Sequence, residues 1–455
     1  MRKISILFVG IGLVLGLHHN AHAQADAITV PNPGRIHIGD IGSLEAGAMI
    51  ARTNDGAASF YNPAGLVRAI RPSVSGNASL YEFNKVTIGT GDDAEDATNF
   101  NIVPVYIGSN GFFGENTEGS PKAAWGFSIS TPLAWKSIAS DETETGLAGN
   151  DLLYNRYNSS SEIKSVVPSL AVAYALSDNF SIGAAAHLIY TTEYQAGSEY
   201  YRDDSTGEFF NYSVTQDSEN LQGQLALGVS WQPTESVNVG VMAKTPSLNI
   251  FDNTSLSANY LGSSWDEFGN LITESGYATN SNLDYRFKKP AEVGLGVAFV
   301  QPTFGIEADA SYRMKVSSYN QYNGTLIFNH VYEDSTGFFD TAEEALPTGN
   351  MEEKDVVNCR VGGYAALSDT LKWHAGFFTD RSSLKDSENY QKVNLYGVTT
   401  GISRTDKNSS IGLGLAYTWS GDMKAETYDS NVGDYVMKET DIQILGLILS
   451  GKYYF

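Results

Sequence analysis

Few residues in this chain could carry covalent chemistry. Of the seven histidines, His18, His19 and His22 fall in an apolar leader, which leaves His37, His187, His330 and His374. General-base or nucleophilic catalysis would need one of these beside an activated nucleophile. No Gly-x-Ser-x-Gly turn presents a serine and no His or Cys spacing matches a metal site, so neither an enzyme nor a resident metal or cofactor is expected. The single cysteine, Cys359, reads as a small apolar strand residue and can form no intramolecular disulfide. The charged residues that invite a role are Lys244, Glu307, Asp309 and Arg313, because each sits in a stretch that alternates apolar and polar. By strand parity they share the polar face, where an internal salt-bridge ladder is the expected arrangement and a cation site for an anionic headgroup at Lys244 and Arg313 is the alternative. The acidic tract Asp92-Asp93-Ala94-Glu95-Asp96 reads as a solvated loop, with divalent-cation binding as the alternative.

Strands must position these groups. In 221–231, Leu221, Gly223, Leu225, Leu227, Val229 and Trp231 fall on one face, and Gln222, Gln224, Ala226, Gly228 and Ser230 on the other. In 304–313, Phe304, Ile306, Ala308, Ala310 and Tyr312 oppose Gly305, Glu307, Asp309, Ser311 and Arg313. Such period-two patterning suits a soluble sandwich or a membrane barrel equally well. The connections discriminate, because outer-membrane barrels alternate tight periplasmic turns with long outer loops. Ser177-Asp178-Asn179, Gln232 to Glu235, Gln301-Pro302, Ser368-Asp369 and Thr405-Asp406-Lys407 read as tight turns, and 136–162, 195–216, 249–287, 317–353, 382–392 and 421–440 as long polar loops. The strands expected are 72–84, 98–108, 122–135, 163–176, 180–194, 217–231, 236–248, 288–300, 303–316, 354–367, 370–381, 393–403, 408–420 and 441–455, about fourteen in all. The fold class is therefore all-β, a transmembrane antiparallel barrel.

The termini and composition agree. Met1-Arg2-Lys3, the apolar run Ile4 to Leu17 and Ala21-His22-Ala23 form a cleavable signal peptide, residues 1–23. The last strand alternates through Leu445, Leu447, Leu449, Gly451 and Tyr453 to Phe455, the kind of end read by barrel-assembly machinery. Tyr174, Tyr190, Trp231, Trp373, Tyr417, Trp419, Tyr453 and Phe455 lie near strand ends, where aromatic girdles sit. A net charge of −23 argues against a nucleic-acid partner. The expected setting is the outer membrane of a Gram-negative bacterium, in contact with lipid and lipopolysaccharide. A closed barrel leaves no edge to pair, so a monomer is expected.

Residues 24–70 do not alternate and are assigned to an N-terminal hatch, with the barrel at 71–455. About eight strands can be filled by side chains alone, so a wider barrel leaves a lumen for such a plug. Within this segment, Asn54-Asp55-Gly56-Ala57-Ala58-Ser59-Phe60-Tyr61-Asn62-Pro63-Ala64-Gly65-Leu66 resembles the hatch of the FadL family of outer-membrane transporters for fatty acids and other hydrophobic compounds. The likeness continues through Val167-Pro168-Ser169-Leu170, Asp178-Asn179-Phe180-Ser181, Lys289-Pro290-Ala291-Glu292 and Ser409 to Leu415. It implies a barrel of fourteen strands with an N-terminal plug, capture of an apolar ligand by outer loops, an internal pocket, and sideways release where the third strand kinks. On the residues that match, Asn62, Pro63, Ala64 and Gly65 are the hatch motif, and Pro132 in Ser130-Thr131-Pro132-Leu133 is the candidate for the wall opening. A harmless strand-end proline is the alternative for Pro132. For the whole chain, the competing functions are a porin for polar solutes and an adhesin or structural barrel acting through its loops.

Overall fold

Leu225, Leu227 and Trp231 point outward and stay about half exposed, while Gln222, Ala226, Gly228 and Ser230 are buried within. The same division repeats around a closed ring. The computed structural model describes residues 32–88, 95–115, 121–146, 152–265, 269–332, 338–345, 350–387, 392–421, 423–429 and 434–455. The expected signal peptide, residues 24–31, Asp92, Asp93 and Ala94 lie outside the described residues, as do the side chains of Glu95, Asp96 and His330.

Fourteen antiparallel strands form the wall among the described residues. They are β1 Ser73–Ile88, β2 Glu95–Glu115, β3 Pro121–Gly146, β4 Leu152–Ser177, β5 Phe180–Asp203, β6 Glu208–Thr234 and β7 Val237–Lys244. Then come β8 Glu292–Val300, β9 Phe304–Arg313, β10 Val356–Ala366, β11 Leu371–Asp380, β12 Leu395–Thr405, β13 Ser409–Ser420 and β14 Asp434–Tyr454. Each pairs with the next, and β14 closes on β1 from Ser73↔Tyr454 to Ile88↔Thr440. Closure gives the spanning backbone groups partners, as hydrocarbon requires, except at one break between β2 and β3. Leu170, Val172, Leu295, Val297, Leu413, Leu415 and Leu445 form an exposed apolar band around the ring. In water such a surface would aggregate. Each of these half-exposed side chains gains on the order of 1 kcal/mol when lipid replaces water, about half the value for full burial. Tyr174, Trp231, Trp373, Tyr453 and Phe455 are exposed on the side of the tight turns.

The long polar stretches differ from expectation. β3 runs on to Gly146 and β4 starts at Leu152, while Leu248–Trp265 and Leu271–Tyr285 continue the sheet beside β6. Apolar alternation is weak there because the buried inner face carries Ser137, Ser161, Gln216 and Thr254 as well as Val214 and Leu256, while Ser, Thr, Asn and Tyr cross-strand pairs still satisfy a ladder. A separate three-stranded sheet, Val316–Asn320, Asn350–Glu353 and Leu384–Ser387, lies apart from the barrel sheet.

Residues 32–72 contribute no wall strand and are mostly buried. This inner segment folds into helical turns at Ala58–Tyr61 and Pro63–Arg68.

Candidate functional site

The inner segment touches all fourteen wall strands among the described residues, and its contacts are largely polar. Asp309 accepts from the backbone N–H of Met49 at 2.9 Å and of Ile50 at 3.1 Å. Glu307 accepts from Ala51 N at 2.6 Å and pairs with Arg52 at 2.8 Å. Arg52 also pairs with Glu45, whose other oxygen meets His374 Nδ1 at 2.7 Å. Burial alone would raise the Glu45 carboxyl, but Arg52 and His374 hold it below its ordinary value. His374 Nε2 lies 2.8 Å from Ser403 Oγ, so serine, histidine and carboxylate stand in the order of a hydrolytic triad. Glu45 is engaged by Arg52, however, and the cavity described below is not lined by Ser403. What this chain does in the fold is hold the inner segment to the wall.

Asn62 is buried and fully used: Nδ2 donates to Ile50 O and Val229 O, both at 2.9 Å, and Oδ1 accepts from Ala64 N. Pro63 occupies the first helical position, where a missing N–H costs nothing. A Cβ on Gly228 would collide with Asn62 Oδ1, and one on Gly362 with Glu45 O, so glycine is what lets the segment lie against the wall. On the tight-turn side, Arg68 reaches Ser230, Gln232 and Asn179 O.

The wall is not paired throughout. β2 and β3 pair only from Glu115↔Pro121 to Tyr106↔Ser130. Beyond this, β3 stays with β4 and β2 with β1. At that level Thr131 and Pro132 together oppose Val166, because Ser130 pairs with Val167 and Leu133 with Ser165. One extra residue in β3 makes a bulge, and Pro132 offers no N–H across it. Pro104 of β2 faces Ala78 beside register shifts at Asn77/Ala78 and Ser79/Glu82, and Pro168 of β4 faces Ile129. Three successive strands thus carry a proline near the break, and the bulge falls at Pro132.

A cavity of about 140 Å³ lies against this break. Pro132, Val167, Ile189, Ile36, Ile50, Phe60 and Met242 supply apolar lining, and the small sheet supplies Met351, Glu353 and Leu384. Lys244, Lys288, Lys289, Arg313, Arg360 and Arg381 also line it, against the acids Glu292 and Glu353. Lys244 Nζ stands 4.4 Å from the Phe60 ring centre, and Lys289 Nζ 4.6 Å from that of Phe287. Arg313 pairs with Glu292 at 3.7 Å. His187 shows its Nε2 without a partner and keeps Nδ1 on Ser169 Oγ at 2.7 Å. Burial lowers the Lys289 ammonium to about 8.

The four charged residues picked from strand parity thus separate. Glu307 and Asp309 bind the inner segment, while Lys244 and Arg313 face the cavity. Lys288, Lys289, Arg360 and Arg381 were missed, since only the tertiary fold brings them to one space. Cys359 is exposed on β10.

A closed barrel with an apolar outer band and residues 32–72 folded inside defines a membrane-spanning β-barrel of the outer-membrane class. Its fold is that of the FadL-type barrels. No family model matches the sequence, and no curated protein does. Among solved structures, a FadL homologue of Pseudomonas aeruginosa aligns over 95% of this chain and 100% of its own, with TM-score 0.59 and 12% identity. The toluene transporter TodX of P. putida aligns over 92% and 99%, with TM-score 0.60 and 15% identity. The toluene transporter TbuX of Ralstonia pickettii aligns over 92% and 99%, with TM-score 0.56 and 13% identity. At these identities the likeness establishes the fold.

Proposed function

We propose that this chain carries hydrophobic compounds passively across the outer membrane, with the inner segment as a plug and the β2–β3 break as the way out. The observation that carries this reading is the cavity beside Pro132, where the β2–β3 ladder ends. An apolar ligand gains about 0.8 kcal/mol per methylene over the whole passage from water to hydrocarbon, so no energy source is needed. A porin is less well supported, because the inner segment bonds to the wall on every side. The neighbours named as toluene transporters support the hydrophobic class.

The ligand class we favour is an anionic amphiphile such as a long-chain fatty acid. Six cations but only two acids line the cavity in a chain of net charge −23, and an unsubstituted hydrocarbon would leave that excess of positive charge without an anion. A cavity of this size suits a headgroup with a few methylenes or one aromatic ring; an engineered space of about 150 Å³ holds benzene.

The test is uptake by proteoliposomes of a long-chain fatty acid, toluene and a small sugar. Three forms are compared: the intact protein, a deletion of Gln24 to Ala69, and a deletion of Pro132 that removes the extra residue of the bulge. The expected result is fatty-acid uptake without sugar flux, sugar leakage on losing the inner segment, and slowed release on losing Pro132. Sugar flux through the intact protein would favour the porin, and silence toward all three the loop-mediated role.

A further inference from the structure

Of the residues lining the cavity, two keep a buried side-chain nitrogen without a hydrogen-bond partner, Arg360 Nε and His187 Nε2. Arg360 is one of the six cations and has only donors, so the carboxylate of an anionic ligand answers it. His187 makes a different demand. It sits on the inner face of β5 and is 4% exposed. Its Nδ1 lies 2.7 Å from Ser169 Oγ, at the facing position of β4, which fixes the ring and leaves Nε2 as the free end.

The polar groups nearest in the wall are already engaged. Ser165 Oγ lies 2.8 Å from Thr191 Oγ1, and Gln224, opposite His187 in β6, donates to Thr245 O at 2.7 Å. The rest of the lining from β3, β4 and β5 is apolar, supplied by Pro132, Val167 and Ile189. A polar atom buried dry costs free energy, so a ligand that fills this side must bring a polar group of its own. Water can meet Nε2 before the ligand arrives, and a ligand that displaces it without replacing its bond loses affinity.

The ring selects the group. A neutral imidazole has one donor and one acceptor nitrogen, and the Ser169 hydroxyl pairs with either. A hydroxyl on the ligand also donates and accepts, so it satisfies Nε2 whichever nitrogen carries the proton. A methylene satisfies neither form. Register places the group along the ligand: His187 faces Gln224 in β6, and Lys244 of β7 faces Ala226, the next inward position. Two strand spacings separate the roots of these side chains by roughly 10 Å, and both reach into the same cavity across that gap. A carboxylate on Lys244 therefore presents its first few carbons to His187.

We propose that His187 is a specificity-determining residue that reads a hydroxyl on the ligand, and that the compounds carried are long-chain acids hydroxylated near the carboxylate. The proposal rests on the transport reading above and narrows its ligand class. Ser169 is the positioning residue that aims the ring.

The experiment measures displacement of a fluorescent fatty acid from the full chain by palmitic acid, β-hydroxypalmitic acid and ω-hydroxypalmitic acid. The β-hydroxy acid should bind at least tenfold more tightly than palmitic acid, and the ω-hydroxy acid, whose hydroxyl is far from the carboxylate, should match palmitic acid. In His187→Leu the order should reverse, since the β-hydroxyl then meets an apolar surface and goes unpaired. His187→Gln, which keeps a polar tip, should restore part of the preference. Equal affinity of the unaltered protein for the β-hydroxy and plain acids would overturn the proposal, as would the same gain for the ω-hydroxy acid. So would an equal loss of both acids in His187→Leu, the mark of a purely structural histidine. The ratio in the unaltered protein decides the question even where a variant fails to close its barrel. Failure of every acid, the fluorescent one included, to bind would sink the anionic-ligand reading itself, a different outcome from binding that ignores the hydroxyl.

Discussion

Lys452, on the strand that closes the barrel, meets the Asp55 carboxylate of the inner segment at 2.6 Å and that of Asp40 at 3.2 Å. All three side chains are almost entirely buried. Closing the wall and seating the inner segment therefore share one ion cluster.

Lys452→Met leaves Asp40 and Asp55 buried without their cation. Removing one partner of a buried pair costs about 3–5 kcal/mol. The inner segment should become sensitive to trypsin at Arg52 and Arg68 while the wall keeps its heat-modifiable gel mobility; resistance equal to the unaltered protein would contradict this.

Burial pushes the Asp40 carboxyl up to about 6, against the pull of Lys452, and neighbouring Asp55 adds to the rise. The seated state thus holds a proton that the released state, near 3.8, gives up earlier. Stability of the seated segment is greatest at the acid end of that window, falls as pH rises from about 4 through 6, and levels off above. Calorimetry across this range should show the slope, and Asp40→Asn should flatten it.

Asn62→Leu strips donors from Ile50 O and Val229 O inside a dry contact. Each buried group left unsatisfied costs roughly 1–3 kcal/mol. In planar bilayers the expected signature is frequent opening to large conductance; a quiet barrel would show that the motif does not hold the segment.

Lys244→Met should weaken binding of a long-chain carboxylate about tenfold, the loss of roughly 1.4 kcal/mol from one charge contact. Toluene binding should stay the same. Calorimetric titration of both ligands reads the difference, and an equal loss for both would assign Lys244 to the shape of the cavity and not to its charge.

Lys289 faces the cavity with Lys288, Arg313 and Glu353, and burial holds its ammonium near 8. Below that value it is charged and attracts a carboxylate; as pH climbs through 8 the attraction goes. Affinity for a fatty acid should fall between pH 7 and 9 while that for toluene stays level.

The wall was legible in the chain itself. Period-two alternation has one geometric meaning in a strand, so Leu225, Leu227 and Trp231 had to part from Gln222 and Ser230, and tight turns such as Ser177-Asp178-Asn179 paired neighbours in order. Asn62, Pro63 and the glycines around them marked the inner segment, because close backbone approach tolerates few residue types. Where the polar strands end was hidden, since their buried inner face mixes Ser161, Gln216 and Thr254 with Val214 and Leu256 and so shows no clean apolar period. The cavity was hidden for another reason. Lys244, Lys289, Arg313, Arg360 and Arg381 come from separate elements, and no local pattern ties them together. Parity showed that Glu307 and Lys244 both point inward, but only the path of the inner segment determined that Glu307 would bind Ala51 while Lys244 would face open space. The side a residue takes is a local property of the strand; its partner there depends on which distant piece of chain arrives.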